Sequence, residues 1–202
     1  MQLVFCLRHQ PCKVHWTGAL RVLQFLKGAP GKGLIYRNYG RVDIIAYSDS
    51  GYAGDRGDRK STSGYCTYVG GNLVTWRSKK QGVVCRSSAE AEYRAMTHTA
   101  CEMMWIQSFL SELGFPCKTP MNMLCDNQAA IHIASNPVFH ERTKHIEVDC
   151  HYVRDLVMKG VIAPYHVSSR DELADLFTKG FDVGDFTYLC NKLGMLDIYA
   201  PT

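Results

Sequence analysis

The sequence lacks the features that mark membrane-spanning, fibrous and disordered chains. No stretch approaches the roughly 18 uninterrupted apolar residues of a membrane-spanning helix. There is no internal repeat and no low-complexity segment, and apolar and charged residues make up 46% and 21% of the chain, as in ordinary globular proteins. The first residues reach Arg8, His9 and Pro11 too early for the apolar core of a signal peptide. A chain of 202 residues with this composition can bury a core of its own.

The nine cysteines do not follow the pattern of a disulfide framework or a zinc ribbon. Their number is odd, their spacing is irregular, and no Cys-x-x-Cys pair occurs. Cys66, Cys101 and Cys125 lie within apolar runs, where a reduced cysteine behaves as a small apolar residue. We therefore expect an intracellular protein, cytoplasmic or nuclear, with no membrane partner. The net charge of +4 allows an anionic partner without demanding one.

Hydrophobic periodicity and turn signals predict an α/β fold. A helix at residues 16–27 precedes an expected boundary near residues 38–40. The predicted elements that follow are strands at 42–48, 65–69 and 73–76, a helix at 88–113, a strand at 121–125, helices near 129–133 and 146–159, a strand at 161–167, and helices at 169–179 and 186–196. Gly70-Gly71-Asn72 predicts a hairpin between the second and third strands. This order predicts a mixed five-stranded sheet, an antiparallel meander plus two parallel strands, with helices on both faces.

Three acidic residues occupy positions that suggest more than a structural role. Asp49 ends the first predicted strand, where a turn residue is an equally good interpretation. Asp126 lies between a strand and a helix, where it can cap the helix or, at the carboxyl end of a strand, hold a ligand. Ser87 and Glu90 fit a capping box, whereas Glu92 lies beside the apolar stripe of the same helix. Because a lone acid there is costly unless it is protonated, paired or bound to a metal, we favour a functional role for Glu92.

Asp175 is not selected by the same reasoning. The apolar side of the predicted helix at residues 169–179 lies opposite Asp175, so helical periodicity predicts that this acid faces solvent. Ser169 and Glu172 fit a second capping box, which gives Glu172 a structural role. Carboxylates that meet near strand ends suit Mg²⁺, which prefers oxygen ligands. Two such ions can activate a water and stabilise the leaving oxygen in phosphodiester hydrolysis.

The chain resembles the ribonuclease H region at the C-terminal end of the Pol polyproteins of copia-type LTR retrotransposons, plant members above all. The matching segments are Tyr47–Asp55, Arg59–Tyr65, Trp76–Gln81, Ser87–Ala95, Leu124–Ala130, Asn136–His145 and Leu173–Lys179. Residues 13–36 resemble the end of the preceding reverse transcriptase. The resemblance therefore implies a remnant of the reverse transcriptase C-terminal region at residues 1–40 and a ribonuclease H-like domain at residues 41–202.

The same resemblance implies an activity and a site. Four carboxylates, Asp49, Glu92, Asp126 and Asp175, are the expected catalytic residues and metal ligands. The expected cofactor is a pair of Mg²⁺ ions, for which Mn²⁺ can substitute. The expected reaction is endonucleolytic cleavage of the RNA strand of an RNA–DNA hybrid, leaving 5′-phosphate and 3′-hydroxyl ends. The expected partners are the hybrid and other parts of a Pol protein, and the oligomeric state stays open.

Further substrate contacts are expected close to the carboxylates. Asn127 and Gln128 are candidates for 2′-hydroxyl contacts, and ordinary first-turn helix residues are an equally good interpretation. Candidates for phosphate or stacking contacts are Trp76, Lys79, Lys80, Arg142 and Lys144. A packed tryptophan and a solvated basic loop explain the residues of this second group equally well. His140, His145, Cys150 and His151 have the spacing of no usual zinc site.

Two other functions compete with a ribonuclease H. The first is a retrotransposon-derived host protein that regulates by binding nucleic acid or protein, with little or no catalysis. The second is another metal-dependent phosphoryl-transfer enzyme on this fold, such as a DNA-directed nuclease. The resemblance also has a gap: no histidine can be assigned to the loop before the last catalytic helix, where many ribonucleases H carry one.

Overall fold

The computed structural model describes residues 12–55, 57–136 and 147–199, except for the side chains of residues 147–150. Of the described residues, those within 36–193 form one compact unit, and residues 12–35 form another with residues 194–199. None of the described helices is both long and apolar enough to cross a lipid bilayer. The elements in chain order are α1 (Lys13–Gly28), β1 (Lys32–Leu34), β2 (Ile44–Gly51), β3 (Thr62–Val69), β4 (Asn72–Lys80), α2 (Ser88–Glu112), β5 (Met121–Cys125), α3 (Gln128–Ser135), α4 (Glu147–Met158), β6 (Ile162–His166), a 3₁₀ helix (Leu173–Phe177), α5 (Val183–Lys192) and β7 (Met195–Asp197).

The smaller unit consists of α1 and a two-stranded sheet. Strands β1 and β7 pair antiparallel, with Gly33 opposite Leu196. The predicted helix at residues 16–27 is present and begins three residues earlier. The division at residues 40 and 41, and the reverse transcriptase origin of the first segment, stay predictions.

The larger unit is built on one mixed sheet of five strands in the order β4-β3-β2-β5-β6. Strands β2, β3 and β4 form an antiparallel meander, while β5 runs parallel to both β2 and β6. Gly70 and Gly71 form the predicted hairpin turn, with φ angles of +55° and +82° that glycine adopts without strain. The predicted sheet is therefore confirmed. Because β2 and β5 are parallel neighbours, their carboxyl ends lie at the same edge of the sheet.

Helix α2 packs against one face of this sheet and forms the main core. Tyr93, Met96 and Met103 of α2 are completely buried there. They belong to the same apolar cluster as Ile44 of β2 and Met123 of β5. Burial of each such side chain contributes about 1.5–3 kcal/mol, which fixes the position of α2 over the sheet.

The 3₁₀ helix covers the opposite face. Successive residues of a strand point to opposite faces, and β2 shows this at its end. Ser48 contacts Thr99 of α2 at 3.0 Å between hydroxyl oxygens. Asp49, the next residue, instead accepts a hydrogen bond from Thr178, which directly follows the 3₁₀ helix.

Two predicted helices near the C-terminus are corrected by the structure. The segment at residues 169–179 is not an α-helix, because only Leu173–Phe177 is helical and its geometry is 3₁₀. The predicted capping box is absent: Ser169 bonds Asp126, and Glu172 caps the shorter helix by accepting from the N–H of Ala174 at 2.9 Å. The helix predicted at residues 186–196 is α5, which begins earlier, ends at Lys192 and gives way to β7.

Gly64 lets the 3₁₀ helix approach the sheet. It lies directly opposite Asp49 in the β2–β3 register, so the two residues share a face. A Cβ atom at Gly64 would lie 2.6 Å from Cγ2 of Thr178, 3.0 Å from Cβ of Phe177 and 3.1 Å from the carbonyl oxygen of Ala174. At Gly51 it would lie 3.0 Å from the carbonyl oxygen of Thr178. The two glycines therefore make room for the segment that carries Asp175.

We expect Gly64→Ala to push the 3₁₀ helix off the sheet. An added methyl group at this close contact should lower the free energy of unfolding by about 1–3 kcal/mol, measured by urea denaturation. Gly82→Ala is the matched control, because a Cβ atom at Gly82 would have no atom within 4 Å. Equal stability of the two variants would contradict this account of the packing.

Candidate active site

Asp49 lies near the end of β2 and is fully buried. It does not end the strand, which continues to Gly51. The Thr178 hydroxyl donates a hydrogen bond to its Oδ2. Its Oδ1 is buried and accepts no hydrogen bond from any described residue. The hydrogen bond from Thr178 thus fixes Oδ2 of Asp49, and Oδ1 can contact a positively charged group.

Asp126 directly follows β5, at the same edge of the sheet. It is not the cap of α3, because Asn127 takes that role and accepts a hydrogen bond from the N–H of Ala130 at 3.0 Å. The Ser169 hydroxyl donates to Oδ2 of Asp126 at 2.7 Å. The carboxylate of Asp126 therefore has no structural duty in the helix that follows it.

Asp175 is buried, not solvent-facing as α-helical periodicity predicted. The reason is the 3₁₀ geometry, in which residues three apart share one face. Asp175 and the following Thr178 both lie toward Asp49. Burial and the negative charge of Asp49 raise the pKa of Asp175 to about 7.

The fold brings these three carboxylates together from distant parts of the chain. One oxygen from each of Asp49, Asp126 and Asp175 lies within 4.8 Å of the other two. Such a set of hard oxygen donors suits Mg²⁺ or Mn²⁺. Oδ1 of Asp49 fits the same interpretation, because it is buried and accepts no hydrogen bond from any described residue, and its ion pair with Lys179 is long, at 3.3 Å.

Glu92 reaches the site from the first turns of α2 and is 6% exposed. Glu90, two residues earlier, serves the helix terminus by accepting from the N–H of Arg86 at 2.8 Å, and Ser87 is the N-cap as predicted. Burial, together with the negative charges of Asp49 and Asp126, raises the pKa of Glu92 to about 9. Glu92 therefore belongs electrostatically to the carboxylate cluster.

Cys125 completes a second group of candidate ligands with Glu92 and Asp126, again within 4.8 Å of one another. Its Sγ lies 4.0 Å from Oε2 of Glu92. Burial and the charge of Glu92 raise the pKa of the Cys125 thiol, which keeps it neutral. The two groups share Asp126, so the site offers two overlapping positions for a cation.

Lys179 is a site residue that the sequence did not identify. Its Nζ lies 2.6 Å from Oδ1 of Asp175 and 3.3 Å from Oδ1 of Asp49. Desolvation alone would lower the pKa of Lys179. The hydrogen bond from Lys179 to Asp175 and the surrounding negative charges outweigh desolvation, so the pKa of Lys179 is raised above its ordinary value. The spacing of four residues from Asp175 was a usable signal, whereas the contact with Asp49 comes only from the fold.

The predicted substrate contacts are divided between the two faces of the sheet. Trp76 and Lys80 of β4 share the face of Asp49, and Lys79 points to the other face. Lys80 is held by Asp55 at 2.5 Å and by Asp58 at 2.8 Å.

The other predicted contacts differ in how far the structure describes them. The side chain of Asn127 is engaged in capping α3, and Gln128 is exposed. Arg142 and Lys144 lie outside the described residues, as do His140, His145 and the Cys150 side chain. The cysteines whose side chains the structure describes form no disulfide with one another: Cys12, Cys66, Cys85, Cys101, Cys117, Cys125 and Cys190.

The raised pKa of Glu92 predicts a pH-dependent stability of the metal-free protein. The folded-state pKa of about 9 lies above the ordinary value of 4.5, so the folded state binds more protons than the unfolded state between these values. Stability should therefore fall as the pH rises from about 5 to about 9. Glu92→Gln cannot ionise and so avoids this loss. In EDTA, the free energy of unfolding of Glu92→Gln relative to the wild type should therefore increase by more than about 1 kcal/mol as the pH rises over this range.

Urea denaturation at several pH values measures the effect. Glu112→Gln is the control, because Glu112 lies on the same helix and is exposed. A stability difference between Glu92→Gln and the wild type that stays constant with pH would refute the assignment of Glu92 to a repulsive cluster.

Comparison with known proteins places the chain within a family. No family model matches it. The chain is 42% identical over 94% of its length to the retrovirus-related Pol polyprotein from transposon RE2 of Arabidopsis thaliana. It is 37% identical over 91% of its length to the retrovirus-related Pol polyprotein from transposon TNT 1-94 of Nicotiana tabacum. The chain spans 13% and 14% of these polyproteins, so it corresponds to one segment of each.

A solved structure shares the fold. The LC11-RNase H1 crystal structure, in complex with an RNA/DNA hybrid, aligns with 67% of this chain and 94% of its own, with a TM-score of 0.50. At 16% sequence identity, this likeness concerns the fold alone. It agrees with the mixed five-stranded sheet and with the predicted ribonuclease H-like architecture. The chain therefore belongs to the family of retrovirus-related Pol polyproteins of copia-type transposons, as a segment that carries a ribonuclease H-like fold.

Proposed function

We propose that the chain is a metal-dependent endonuclease that cleaves the RNA strand of RNA–DNA hybrids and leaves 5′-phosphate and 3′-hydroxyl ends. The observation that carries this proposal is the meeting of Asp49, Asp126 and Asp175 within 4.8 Å. Carboxylates that repel one another in a desolvated site weaken the fold, and such arrangements cluster at functional sites. Glu92 adds a fourth acid beside them.

The residues present fit two Mg²⁺ ions, for which Mn²⁺ can substitute. Asp49, Asp126, Asp175 and Glu92 would hold them through oxygen atoms. Bound ions of this kind activate a water and stabilise the leaving 3′-oxygen of a phosphodiester. Glu92 and Asp126 would supply oxygens for the second ion, beside the group of Asp49, Asp126 and Asp175.

Two hydroxyl groups orient the carboxylates for this task. Ser169 donates to Oδ2 of Asp126, and Thr178 donates to Oδ2 of Asp49. Each hydrogen bond engages Oδ2, so a metal ion would bind through Oδ1, which in Asp49 is paired with Lys179. A ligand whose orientation is already fixed loses less entropy when it binds, so Ser169 and Thr178 act as positioning residues.

Several features support a hybrid as the substrate. Trp76 is exposed and lies on the face of the sheet that carries Asp49. An aromatic ring there can stack on a base, whereas Lys80 on the same face is already paired with Asp55 and Asp58. Gln128, exposed and two residues from Asp126, is the better candidate for a 2′-hydroxyl contact, because the side chain of Asn127 is already engaged. The hybrid named with the LC11-RNase H1 structure supports the same choice.

The purified chain should cleave the RNA strand of an end-labelled RNA–DNA hybrid in the presence of Mg²⁺ or Mn²⁺. Duplex RNA and duplex DNA of the same sequence should stay intact. Glu92→Gln should lower the cleavage rate at least ~100-fold. The neutral amide of glutamine cannot replace the negative carboxylate as a ligand of a metal ion. Gel electrophoresis of the products measures both rate and end chemistry.

Glu112→Gln on the same helix should cleave at the wild-type rate, since Glu112 is exposed. Wild-type cleavage by Glu92→Gln would reject the site. Preferential cleavage of duplex DNA would favour a DNA-directed nuclease. Tight binding of the hybrid without any cleavage, in either metal, would favour a retrotransposon-derived regulator.

A further inference from the structure

Lys179 contacts one oxygen of each of two buried carboxylates, Asp49 and Asp175. Its ammonium lies 2.6 Å from Oδ1 of Asp175 and 3.3 Å from Oδ1 of Asp49. Oδ1 of Asp49 accepts no hydrogen bond from any described residue, while its Oδ2 is taken by Thr178. The lysine thus places one positive charge where the ligands for a cation converge.

We propose that Lys179 is a built-in competitor of the metal ions, a counterion that neutralises Asp49 and Asp175 until a divalent cation displaces it. The proposal rests on the proposed function in one respect, since it takes the carboxylate cluster to be a metal site. It assigns to Lys179 a role in setting metal affinity, separate from the chemistry of cleavage.

Electrostatics favours the exchange. An ammonium and a divalent cation about 4 Å apart repel each other, and the repulsion is stronger in a partly desolvated site than in water. The two cations would therefore compete for Oδ1 of Asp49. Because the Lys179 side chain is 39% exposed, it can leave the carboxylates by rotating toward solvent without disturbing the core.

A second pair in the same chain shows that spacing alone does not explain this contact. Lys159 and Asp155 are also four residues apart, but they are 3.9 Å apart and highly exposed. Asp175 and Asp49, by contrast, are almost fully buried, and they come from different segments of the chain. Lys179 therefore bridges two buried acids through the fold, whereas Lys159 forms an ordinary surface pair.

Removal of the lysine charge should strengthen metal binding. Mn²⁺ titrations of the full chain, followed by electron paramagnetic resonance, compare the wild type with Lys179→Met, Lys179→Arg and the matched control Lys159→Met. The dissociation constant of the first Mn²⁺ ion should fall at least ~10-fold in Lys179→Met. It should stay within ~3-fold of the wild-type value in Lys179→Arg, which keeps the charge, and in Lys159→Met.

Thermal unfolding supplies a readout that does not depend on the metal titration. In EDTA, Lys179→Met should melt below the wild type, because its carboxylates have lost their counterion. Saturating Mn²⁺ should raise its melting temperature by more than it raises that of the wild type. Lys179→Gln serves as the second neutral variant if Lys179→Met does not fold.

An unchanged or weaker Mn²⁺ affinity in the neutral variants would overturn the proposal. If the wild type binds Mn²⁺ and cleaves the hybrid while Lys179→Met binds Mn²⁺ no more tightly, only the competitor role fails. If the wild type binds Mn²⁺ with the expected effect of Lys179 but cleaves nothing, the proposed function fails and the competitor role stands. If no variant binds Mn²⁺, both are wrong.

Discussion

The mutual repulsion of four carboxylates in a poorly solvated notch is the constraint on which the rest of the structure depends. Asp49 is fully buried, and Glu92 and Asp175 are nearly so. Burial and the neighbouring negative charges disfavour the ionised forms of Glu92 and Asp175 and raise their pKa values. The fold must hold them together against this repulsion. It does so with apolar packing behind the site and with the ammonium of Lys179 within it.

The sheet topology explains why the acids converge at all. The carboxyl ends of the parallel neighbours β2 and β5 place Asp49 and Asp126 at one edge of the sheet. Helix α2 brings Glu92 from one face, and the 3₁₀ helix brings Asp175 from the other. The site therefore lies where both covering layers meet the sheet edge. A shift of either layer would separate the acidic side chains, even if none of these residues were substituted.

The sequence predicts those parts of this arrangement that local physics determines. The sheet follows from strand patterns and the Gly70-Gly71 turn, and the burial of Glu92 follows from an acid beside an apolar stripe. Asp175 could not be placed, because the apolar pattern does not reveal the 3₁₀ geometry and the segment packs against Gly64, which is distant in the sequence. The role of Lys179 could not be predicted either, because its contact with Asp49 joins residues that are distant in the sequence.

The same electrostatics constrain how a nucleic acid could approach the site. A phosphate backbone is repelled by a cluster of carboxylates, and the single charge of Lys179 does not neutralise Asp49, Asp126 and Asp175 together. Divalent cations between the carboxylates and a phosphate reverse the sign of that interaction. Metal ions would then be needed at this site to bind the substrate as well as to cleave it. A protein retained only to bind nucleic acid would gain more from losing these acids than from keeping them, which favours a catalytic role for the site.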